Sequence, residues 1–350
     1  MKLFAFFLPQ FHTIPENDAW WGKGFTEWTN VKAAKPLYPG HTIIHPYNDN
    51  YYELLSKETV EWQTSLLKDY DVDGLIYYHY YFKGKLLLEK PAENLLEWKD
   101  IDQPFFFCWA NHPWIRSWEG KSEVLVPLSY GNEQDWEEHF KYLLRFFKDD
   151  RYEKKDNKPV FMIFEPAFKE KNAMFSYFNR RCVEEGFDGI CLIETKYKYT
   201  SETELHKPWE NTSYIYYRQP NIQMEKHWLK RLSVFARGLN KIKRMTKYNN
   251  IKVYEGQELM ESLIEDHPKG KNIINGVWFE WDNTYRHKDR GYIIKAYSKE
   301  LFDKYMDSLS DDEYVFINAW NEWCEGMVTE PTEEYGYKYL EWIKEWKKRK

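Results

Sequence analysis

Eight short apolar runs, rich in aromatic and β-branched residues, alternate with segments of helical periodicity along this chain of 350 residues. This alternation is typical of βα units around a parallel sheet, because a strand that is buried on both faces reads as a continuous apolar run. The runs predict strands at Leu3–Leu8, Gly74–Tyr81, Pro104–Ala110, Pro159–Phe164, Gly189–Ile193, Tyr214–Tyr217, Asn275–Phe279 and Tyr314–Ala319. Apolar residues at three- and four-residue spacing predict helices at Lys57–Asp69, Asp135–Lys148, Asn172–Glu185, Tyr297–Ser308 and Tyr335–Lys348.

The number of strands favours one closed barrel. A chain of this length accommodates either one large α/β barrel or two smaller domains. A doubly wound sheet normally carries a glycine-rich phosphate turn after an early strand, and the sequence contains neither GxGxxG nor GxxxxGKS or GxxxxGKT. We therefore predict a single (β/α)8 TIM barrel over residues 1–350, with long loops at the C-terminal face of the strands.

Polar side chains begin where most of these apolar runs end. In a parallel barrel the carboxyl ends of all strands open on one face, and that face holds the active site. The polar residues at strand ends include Gln10, His12, Asn111, Glu165, Glu194, Glu280, Asp282, Asn321 and Glu322. The first connection, from Gln10 to about Asn50, is long for a βα loop, and we expect it to form part of this face.

The composition points to a carbohydrate rather than a nucleic acid as partner. The net charge is −6, whereas binding to a phosphate backbone needs a concentrated positive surface. The chain contains 17 Trp, 28 Tyr and 22 Phe, and many of these rings stand beside polar residues in predicted loops. A flat apolar ring with a polar neighbour suits a sugar, which presents both C–H faces and hydroxyl groups.

Cysteine usage and the amino-terminal residues indicate a cytoplasmic protein. Cys108, Cys182, Cys191 and Cys324 are widely spaced without a CxxC pair, and a domain of this size needs no disulfides. The first apolar run is interrupted by Pro9 and is too short for the core of a signal peptide. No apolar stretch approaches the roughly 20 residues that cross a bilayer.

Residues 226–254 form a variable basic segment that the sequence leaves open to two interpretations. The segment contains nine Lys or Arg and no acidic residue. Its apolar residues repeat at helical spacing: Trp228, Leu229, Leu232, Phe235, Leu239, Ile242 and Met245. One interpretation is a barrel helix with a solvated basic face. The other is a peripheral site for an anionic membrane, here the inner membrane, or for a lipid-linked glycan.

The motif NAWNEWCEGM, residues 318–327, offers a pair of carboxylates at the end of the eighth strand. Cleavage of a glycosidic bond needs a proton donor for the leaving oxygen and a second carboxylate a few ångströms away. Glu322 and Glu325 are three positions apart, so they face one substrate only if the chain turns after Glu322. Gly326 favours such a turn.

Other side chains at the predicted open face are candidates for sugar binding. Many lie in loops rich in tryptophan, where unevenly spaced indoles are poor core material. The candidates are Glu27, Trp28, His79, Trp109, Asn111, Trp114, Arg116, Trp118, Glu280, Asp282, Asn283, Trp320, Asn321 and Trp323. The alternatives are a first loop that packs on itself around Trp28, an Arg116 that stacks on a ring, and a core histidine at His79. Glu280, Asp282 and Asn283 form the best competing carboxylate cluster, because they could hold sugar hydroxyls or replace one of the proposed catalytic pair.

Neither a metal nor another cofactor is expected. His41 and His45 have the i, i+4 spacing of zinc ligands on a helix. Ile43, Ile44 and Pro46 oppose a helix there, and the sequence contains no HExxH motif.

Six long motifs, in order along the chain, match a known pattern. They are FLPQFHTIPEND at 7–18, WWGKGFTEWTNV at 20–31, DGLIYYHYYFKGKLLLEKP at 73–91, CWANHPWIRSWEG at 108–120, DNKPVFMIFEP at 156–166 and NAWNEWCEG at 318–326. They resemble the family 99-like glycoside hydrolases of the WbsX type, which are found among polysaccharide biosynthesis proteins. The resemblance spans most of the chain except roughly residues 196–271, and it implies a (β/α)8 barrel.

The motifs also resemble those of family 99 endo-α-mannosidases, in which the last motif supplies both catalytic carboxylates. Carried onto this chain, the resemblance implies that Glu322 is the base that draws the proton from the substrate 2-hydroxyl, giving a 1,2-anhydro sugar intermediate. Glu325 is then the general acid and afterwards the base that activates water, with overall retention. Position 324 is Cys where the mannosidases carry His, so a mannoside substrate is not implied.

The sequence therefore predicts a metal-independent retaining glycoside hydrolase, endo-acting on a bacterial polysaccharide or oligosaccharide. The first alternative is a glycosyltransferase or transglycosylase that builds a surface polysaccharide such as O-antigen or capsule. The expected cytoplasmic location favours this alternative, because enzymes that digest external glycans are usually exported. The second alternative is a carbohydrate-binding barrel without catalysis, although binding alone does not require an acid and base pair.

Overall fold

The eight predicted strands form in the computed structural model of the chain, which describes residues 1–115, 123–199, 203–228 and 233–350. Each strand lies within a few residues of its predicted position. The strands are β1 Lys2–Phe7, β2 Gly74–Phe82, β3 Phe105–Trp109, β4 Lys158–Ile163, β5 Cys191–Lys196, β6 Tyr214–Tyr217, β7 Ile273–Trp278 and β8 Tyr314–Asn318.

These strands close into a parallel barrel. Each strand pairs in parallel with its neighbours in the chain, from β1 and β2 through to β7 and β8. β1 also pairs with β8, so that Phe4 lies opposite Gly74 on one side and opposite Phe316 on the other. Closure confirms the predicted (β/α)8 class.

Helices surround the barrel and occupy its connections. In the described part of the chain they are α1 Pro15–Trp21, α2 Glu27–Ala33, α3 Lys57–Asp69, α4 Lys90–Glu97, α5 Glu133–Phe147, α6 Lys171–Glu184, α7 Asn221–Lys226, α8 Val234–Lys247, α9 Gly256–Asp266, α10 Thr284–His287, α11 Lys299–Ser308 and α12 Lys338–Lys347. The predicted helices correspond to α3, α5, α6, α11 and α12. In α5, Trp136, Phe140 and Leu143 are buried at helical spacing, which is the amphipathic pattern that the prediction used.

Aromatic rings fill the barrel interior. The ring of Phe106 lies 5.1 Å from that of Phe4 and 5.7 Å from that of Phe316, measured between centroids. Tyr216 contacts Phe316 at 5.1 Å. These contacts join strands that are not neighbours in the sheet, so the rings meet across the inside of the barrel. Much of the aromatic content therefore serves packing, because a TIM barrel is filled by side chains.

Two long connections leave the barrel at the carboxyl ends of the strands. The first runs from β1 to α3 and includes α1 and α2, as expected from its length. The second runs from β6 to β7, includes α7, α8 and α9, and contains the basic segment. The two connections meet where the ring of Tyr38 packs against that of Tyr248, with centroids 5.0 Å apart.

A three-stranded sheet on this face links the second connection to the segment after β7. Lys252–Tyr254 pairs in parallel with Tyr292–Ile294, which pairs antiparallel with Trp281–Asp282. The ring of Tyr292 packs on the indole of Trp281 with centroids 4.8 Å apart. The sheet therefore holds Trp281 in place at the open end of the barrel.

Two further features of the fold concern the cysteines and the described helices. All four cysteines are buried free thiols, and burial raises the pKa of Cys191 to about 11. A thiol with a raised pKa is a poor nucleophile near neutral pH. Where the chain is described, every helix falls short of the length and apolar character of a membrane span.

The first residue of β2 tests the packing of the barrel. A Cβ atom at Gly74 would lie 2.5 Å from Cε1 of Phe4 and 2.6 Å from the carbonyl oxygen of Pro104. We expect Gly74→Ala to lower the free energy of unfolding by about 1–3 kcal/mol, because a packed core relaxes poorly around an extra methyl group. Gly238→Ala in α8, with nothing within 4 Å of the added atom, is the control and should be neutral or slightly stabilising. Urea unfolding measures both variants, and equal stabilities would contradict this account.

Candidate active site

A cavity of about 420 Å³ opens at the carboxyl ends of the strands. The residues that line it include Tyr78, Tyr80, Trp114, Phe164, Arg218, Arg286, Glu322 and Glu325. They come from β2 and from the segments after β3, β4, β6, β7 and β8, so most of the barrel contributes to the site. A larger cavity, of about 660 Å³, lies beside α8 and is lined by residues between 227 and 259. That second cavity is outside the barrel and lacks the carboxylate pair.

A turn after β8 brings Glu322 and Glu325 into this cavity. Asn321–Glu322 pairs with Met327–Val328 as a short antiparallel hairpin. Of the four residues between these strands, Trp323–Glu325 form a 3-10 turn and Gly326, where φ is +51°, ends it. This left-handed conformation favours glycine. The chain thus turns after Glu322, as the spacing of the two carboxylates requires.

Arg286 joins Glu325 to a second carboxylate, Glu27. Its Nη1 donates to Oε1 of Glu325 at 2.8 Å, and its Nη2 donates to Oε2 of Glu27 at 2.8 Å. The other oxygen of Glu325 accepts a hydrogen bond from Nε1 of Trp281 at 3.0 Å. A planar guanidinium suits this bridge, because its donors point in fixed directions. Both oxygens of Glu325 are therefore held in place, and the buried Glu27 has a structural partner.

The surroundings of Glu322 favour its protonated form. The residue is 8% exposed, and burial together with the neighbouring Glu325 raises the pKa of Glu322 to about 8, although Arg286 and Arg218 oppose the rise. The formal charges of the groups around Glu322 explain why its pKa is raised. Glu27, Glu322 and Glu325 would carry three negative charges against the two positive charges of Arg218 and Arg286, so one bound proton makes this buried cluster neutral. Burial and the neighbouring charges thus favour one bound proton at Glu322.

Sequence reasoning misses both arginines. Arg218 directly follows β6, and its guanidinium lies 4.8 Å from the ring centroid of Phe164 at the cavity wall. The rule that selected polar residues at strand ends could have found Arg218. Arg286 offers no such signal, because its partner Glu27 lies in the first connection and only folding brings the two together.

Asn321, Trp320 and Trp323, which were expected to contact a sugar, are buried and hold the turn in place. Oδ1 of Asn321 accepts from the main-chain N–H of Leu8 at 2.7 Å, and Nδ2 donates to the carbonyl oxygen of Leu8 at 3.1 Å. Trp320 and Trp323 are at most 1% exposed, and Nε1 of Trp323 donates to Glu330 at 2.9 Å. The indoles are buried because their large apolar surface packs on the core.

Trp28, Trp109 and His79, which were expected to bind a sugar, are also buried. Nε1 of Trp28 and Nε1 of Trp109 donate to main-chain carbonyl oxygens at 2.7 and 3.1 Å. His79 contacts His139 of α5 through Nε2 atoms 2.9 Å apart, and burial lowers the pKa of His79 to about 3. His79 and Trp109 lie on the strand faces that meet α5. Successive side chains alternate between the two faces of a strand, so these residues point away from the barrel interior.

Asn111 joins the ends of two strands beside the cavity. Its Nδ2 donates to the carbonyl oxygen of Glu165 at 2.6 Å, and its Oδ1 accepts from the main-chain N–H of Glu165 at 2.7 Å. The neighbouring Ala110 and His112 line the cavity, whereas Asn111 itself is buried. Asn111 therefore shapes the site through the main chain after β3 and β4.

The polar side chains after β7 pair with residues of the neighbouring loops. Desolvation raises the pKa of Glu280 to about 7, and this carboxyl accepts a tyrosine hydroxyl at 3.3 Å. Asp282 is paired with Nε2 of His41 at 2.6 Å, and Asn283 accepts from the main-chain N–H of Tyr292 at 2.8 Å. Glu280, Asp282 and Asn283 are not part of the cavity wall in the described structure. Within the same residues, no three His, Cys, Asp or Glu side chains cluster as a metal site would require.

Trp114 is a candidate indole that the structure does place at the cavity. Its ring contacts those of Trp20 at 5.7 Å and Tyr80 at 5.3 Å, measured between centroids. An aromatic wall thus faces the glutamates and arginines, which is the combination of apolar and polar surface that a sugar requires. Arg116 and Trp118, in the same motif, lie outside the described residues.

Gly326 allows a test of the turn that changes neither glutamate. A Cβ atom there would lie 2.9 Å from Cβ of Asp282. Gly336, with a similar φ of +58° but nothing within 4 Å of an added Cβ, is the matched control. We expect Gly336→Ala to cost about 1 kcal/mol of stability through backbone strain, and Gly326→Ala to cost about 2–3 kcal/mol through strain and contact together. Denaturant unfolding measures the two costs, and equal values would show that Asp282 does not restrict the turn.

One family of known proteins matches nearly the whole chain. A family model described as Glycosyltransferase WbsX matches residues 3–343. Two proteins named Uncharacterized protein WxcX, from two strains of Xanthomonas campestris pv. campestris, are each 30% identical to this chain over 353 residues. The match covers 97% of this chain and 48% of each relative, so the chain spans about half the length of the curated relatives it matches.

Solved structures share the fold at low identity. The GH99 endo-alpha-mannosidase from Bacteroides thetaiotaomicron is 15% identical with a TM-score of 0.55, and the match covers 99% of this chain and 97% of that one. A second structure, described as a glycoside hydrolase-like protein, is 12% identical with a TM-score of 0.57 and matches 99% of this chain and 93% of its own. At these identities the likeness supports the barrel fold alone.

Proposed function

Because the chain belongs to the WbsX glycosyltransferase family, we propose that it is a carbohydrate-active enzyme, and specifically a retaining glycoside hydrolase that acts within a bacterial polysaccharide or oligosaccharide. The observation that carries the proposal is the turn that places Glu322 and Glu325 in one cavity at the open end of the barrel. The fold shared with the GH99 mannosidase supports it. The cavity, at about 420 Å³, lies in the size range of small-molecule sites.

The shared proton is what glycosidic cleavage needs from this pair. One carboxyl group must donate a proton to the leaving oxygen, and the other must accept one. Before substrate binds, the raised pKa of Glu322 favours the proton on this carboxyl group. A sugar 2-hydroxyl that donates to Glu322 stabilises the charged form of that carboxylate, so substrate binding favours transfer of the proton to Glu325.

The first step forms an anhydro sugar. Glu322 takes the proton of the 2-hydroxyl while O2 attacks the anomeric carbon, and Glu325 donates its proton to the departing oxygen. The bond between the anomeric carbon and the leaving oxygen breaks as the bond to O2 forms. This differs from the usual retaining scheme, in which a carboxylate attacks the anomeric carbon directly.

The second step opens the anhydro sugar with water. Glu325 takes a proton from the water as its oxygen attacks the anomeric carbon, and Glu322 returns its proton to O2. Each step inverts the anomeric centre, so the product keeps the configuration of the substrate. Both carboxyl groups end in the protonation state in which they began the first step.

The side chains around the pair serve to position it. Arg286, held by Glu27, and the indole of Trp281 orient Glu325. Such fixed orientation contributes to catalysis, because a small misplacement of an acid group lowers the rate strongly. Tyr80 and Trp114 form the aromatic wall on which a sugar ring packs.

Glycosyl transfer is the second candidate function, and the description of the family favours it. In that reaction a hydroxyl of an acceptor sugar opens the same anhydro intermediate in place of water, with the same proton transfers.

A screen of the purified protein against defined bacterial glycans, with product anomers followed by NMR, separates the candidates. New reducing ends of retained configuration support hydrolysis, and longer products that require an acceptor support transfer. Binding without turnover would favour the carbohydrate-binding barrel over both.

Each glutamate of the pair is expected to be essential. We expect Glu322→Gln and Glu325→Gln to lower kcat by about 10²–10⁴-fold while substrate binding persists, because each removes one proton-transfer group. An activated aryl leaving group should restore the first step in Glu325→Gln but not in Glu322→Gln, since only the acid becomes dispensable. Glu341→Gln, on the exposed side of α12, is the control. Wild-type turnover by Glu325→Gln with an unactivated substrate would refute the assignment.

The pH dependence of kcat/KM follows from the shared proton. With the pKa of Glu322 raised to about 8, the pair keeps its proton at pH 7 and loses it as the pH rises through this value. We expect kcat/KM to fall about tenfold per pH unit above the pKa, because the fully ionised pair has no acid to offer. Glu27→Gln removes a negative charge that helps to raise this pKa, so the alkaline limb should move to lower pH. A rate that keeps rising beyond the pKa would contradict the proposal.

A further inference from the structure

Helix α8 turns its apolar residues away from the rest of the protein. Val234–Lys247 is described throughout, and none of its side chains is buried. The exposed apolar residues are Val234, Phe235, Leu239, Ile242 and Met245, with exposed fractions of 84, 76, 52, 60 and 59%. At about 100° per residue these five positions form one stripe along the helix. A continuous exposed stripe of this kind marks a contact surface rather than ordinary solvent-facing structure.

Cations flank this apolar stripe on both sides. Lys241 lies at one edge of the stripe in a helical projection and Lys243 at the other, with Arg237, Arg244 and Lys247 behind them. Residues 226–254 contain nine Lys or Arg and no acid, in a chain whose net charge is −6. Five of these cations lie on α8 itself, where Lys243 also pairs with Glu255 at 3.0 Å.

We infer that α8 docks on an anionic membrane surface, with the apolar stripe in the interfacial layer of the lipid and the lysines and arginines against the phosphate headgroups. An anionic bilayer offers an apolar layer beneath a plane of negative charge, which complements an apolar stripe with cationic edges. The helix has 14 residues and lies outside the barrel, so it contacts the bilayer without crossing it. This inference does not depend on the reaction proposed above.

The position of α8 places the membrane contact on the face that holds the cavity. The helix lies in the connection that leaves β6 at its carboxyl end. Just after the helix, Nδ2 of Asn249 donates to the carbonyl oxygen of Leu37 at 2.7 Å, which ties this end of α8 to the first connection. The next strand, Lys252–Tyr254, belongs to the sheet that contains Trp281. The segment that carries α8 is thus tied to the end of the barrel that holds the cavity.

Flotation of the full chain with lipid vesicles tests the inference. We expect binding to phosphatidylcholine vesicles that contain about 30% phosphatidylglycerol, at least about tenfold weaker binding to pure phosphatidylcholine, and release by salt on the order of 0.5 M. Phe235→Ser combined with Ile242→Ser should lower the affinity for anionic vesicles at least about tenfold. Lys241→Gln combined with Lys247→Gln should lower it by a similar factor, since each lysine near an anionic surface contributes about fivefold.

Val183→Ser supplies the matched control, because Val183 is an apolar residue of α6 that is 56% exposed. It should bind vesicles like the wild type. All variants should keep the wild-type melting temperature, since each changed side chain is exposed. Equal vesicle binding by the Phe235 and Ile242 double variant, or binding of the wild type to neither vesicle, would overturn the inference. Light scattering would then show whether the stripe instead joins two copies of the chain, in which case the wild type is a dimer and the double variant a monomer.

Discussion

The buried bridge from Glu27 through Arg286 to Glu325 is the interaction on which the site depends. A carboxylate removed from water is stable only when it is paired, and here one guanidinium pairs with two carboxylates at 2.8 Å each. The three residues belong to the first connection, to the short helix after β7 and to the turn after β8. The bridge therefore makes three distant loops depend on one another. Loss of the arginine would remove the ion pair of the buried Glu27 and would leave the partly buried Glu325 with its hydrogen bond from Trp281.

The barrel beneath this bridge provides the rigidity that the pair requires. Asn321 fixes the turn to the end of β1 through two hydrogen bonds to the main chain of Leu8. The buried Glu330 accepts hydrogen bonds from Trp323, Tyr52 and Gln63 at 2.7–2.9 Å, which holds the turn to the first connection and to α3. Asn111, Asn321 and Glu330 are used in this way, because buried polar groups need partners.

The basic segment differs from the other helical segments because its apolar residues are not covered by the barrel. The barrel helix between β6 and β7 is α9, which buries Leu259, Met260 and Leu263. Helix α8 buries none of its residues, although its apolar residues recur at the same helical spacing. Periodicity identifies an apolar face but does not show what covers it. Helix α8 therefore does not bury an apolar face on the barrel, and the inferred membrane contact would account for its exposed stripe.

The sequence by itself determined the eight strands, the closed barrel and the turn between the two glutamates. These features depend on local patterns: short apolar runs, helical periodicity and a glycine directly after Glu325. The sequence did not determine which aromatic residues face the cavity. In β2, rings occur at consecutive positions, so alternation alone does not distinguish Tyr78 and Tyr80 at the cavity from Tyr77 and Tyr81 outside it.

Tertiary structure alone decided the charge state of the site. Arg286 and Glu27 are 259 positions apart, and no local pattern predicts that they pair. The pKa of Glu322 likewise depends on burial and on neighbours contributed by other loops. The identity of the candidate pair was therefore readable from one short motif. The protonation of the two glutamates depends on the folded barrel, which excludes water and brings distant charges together.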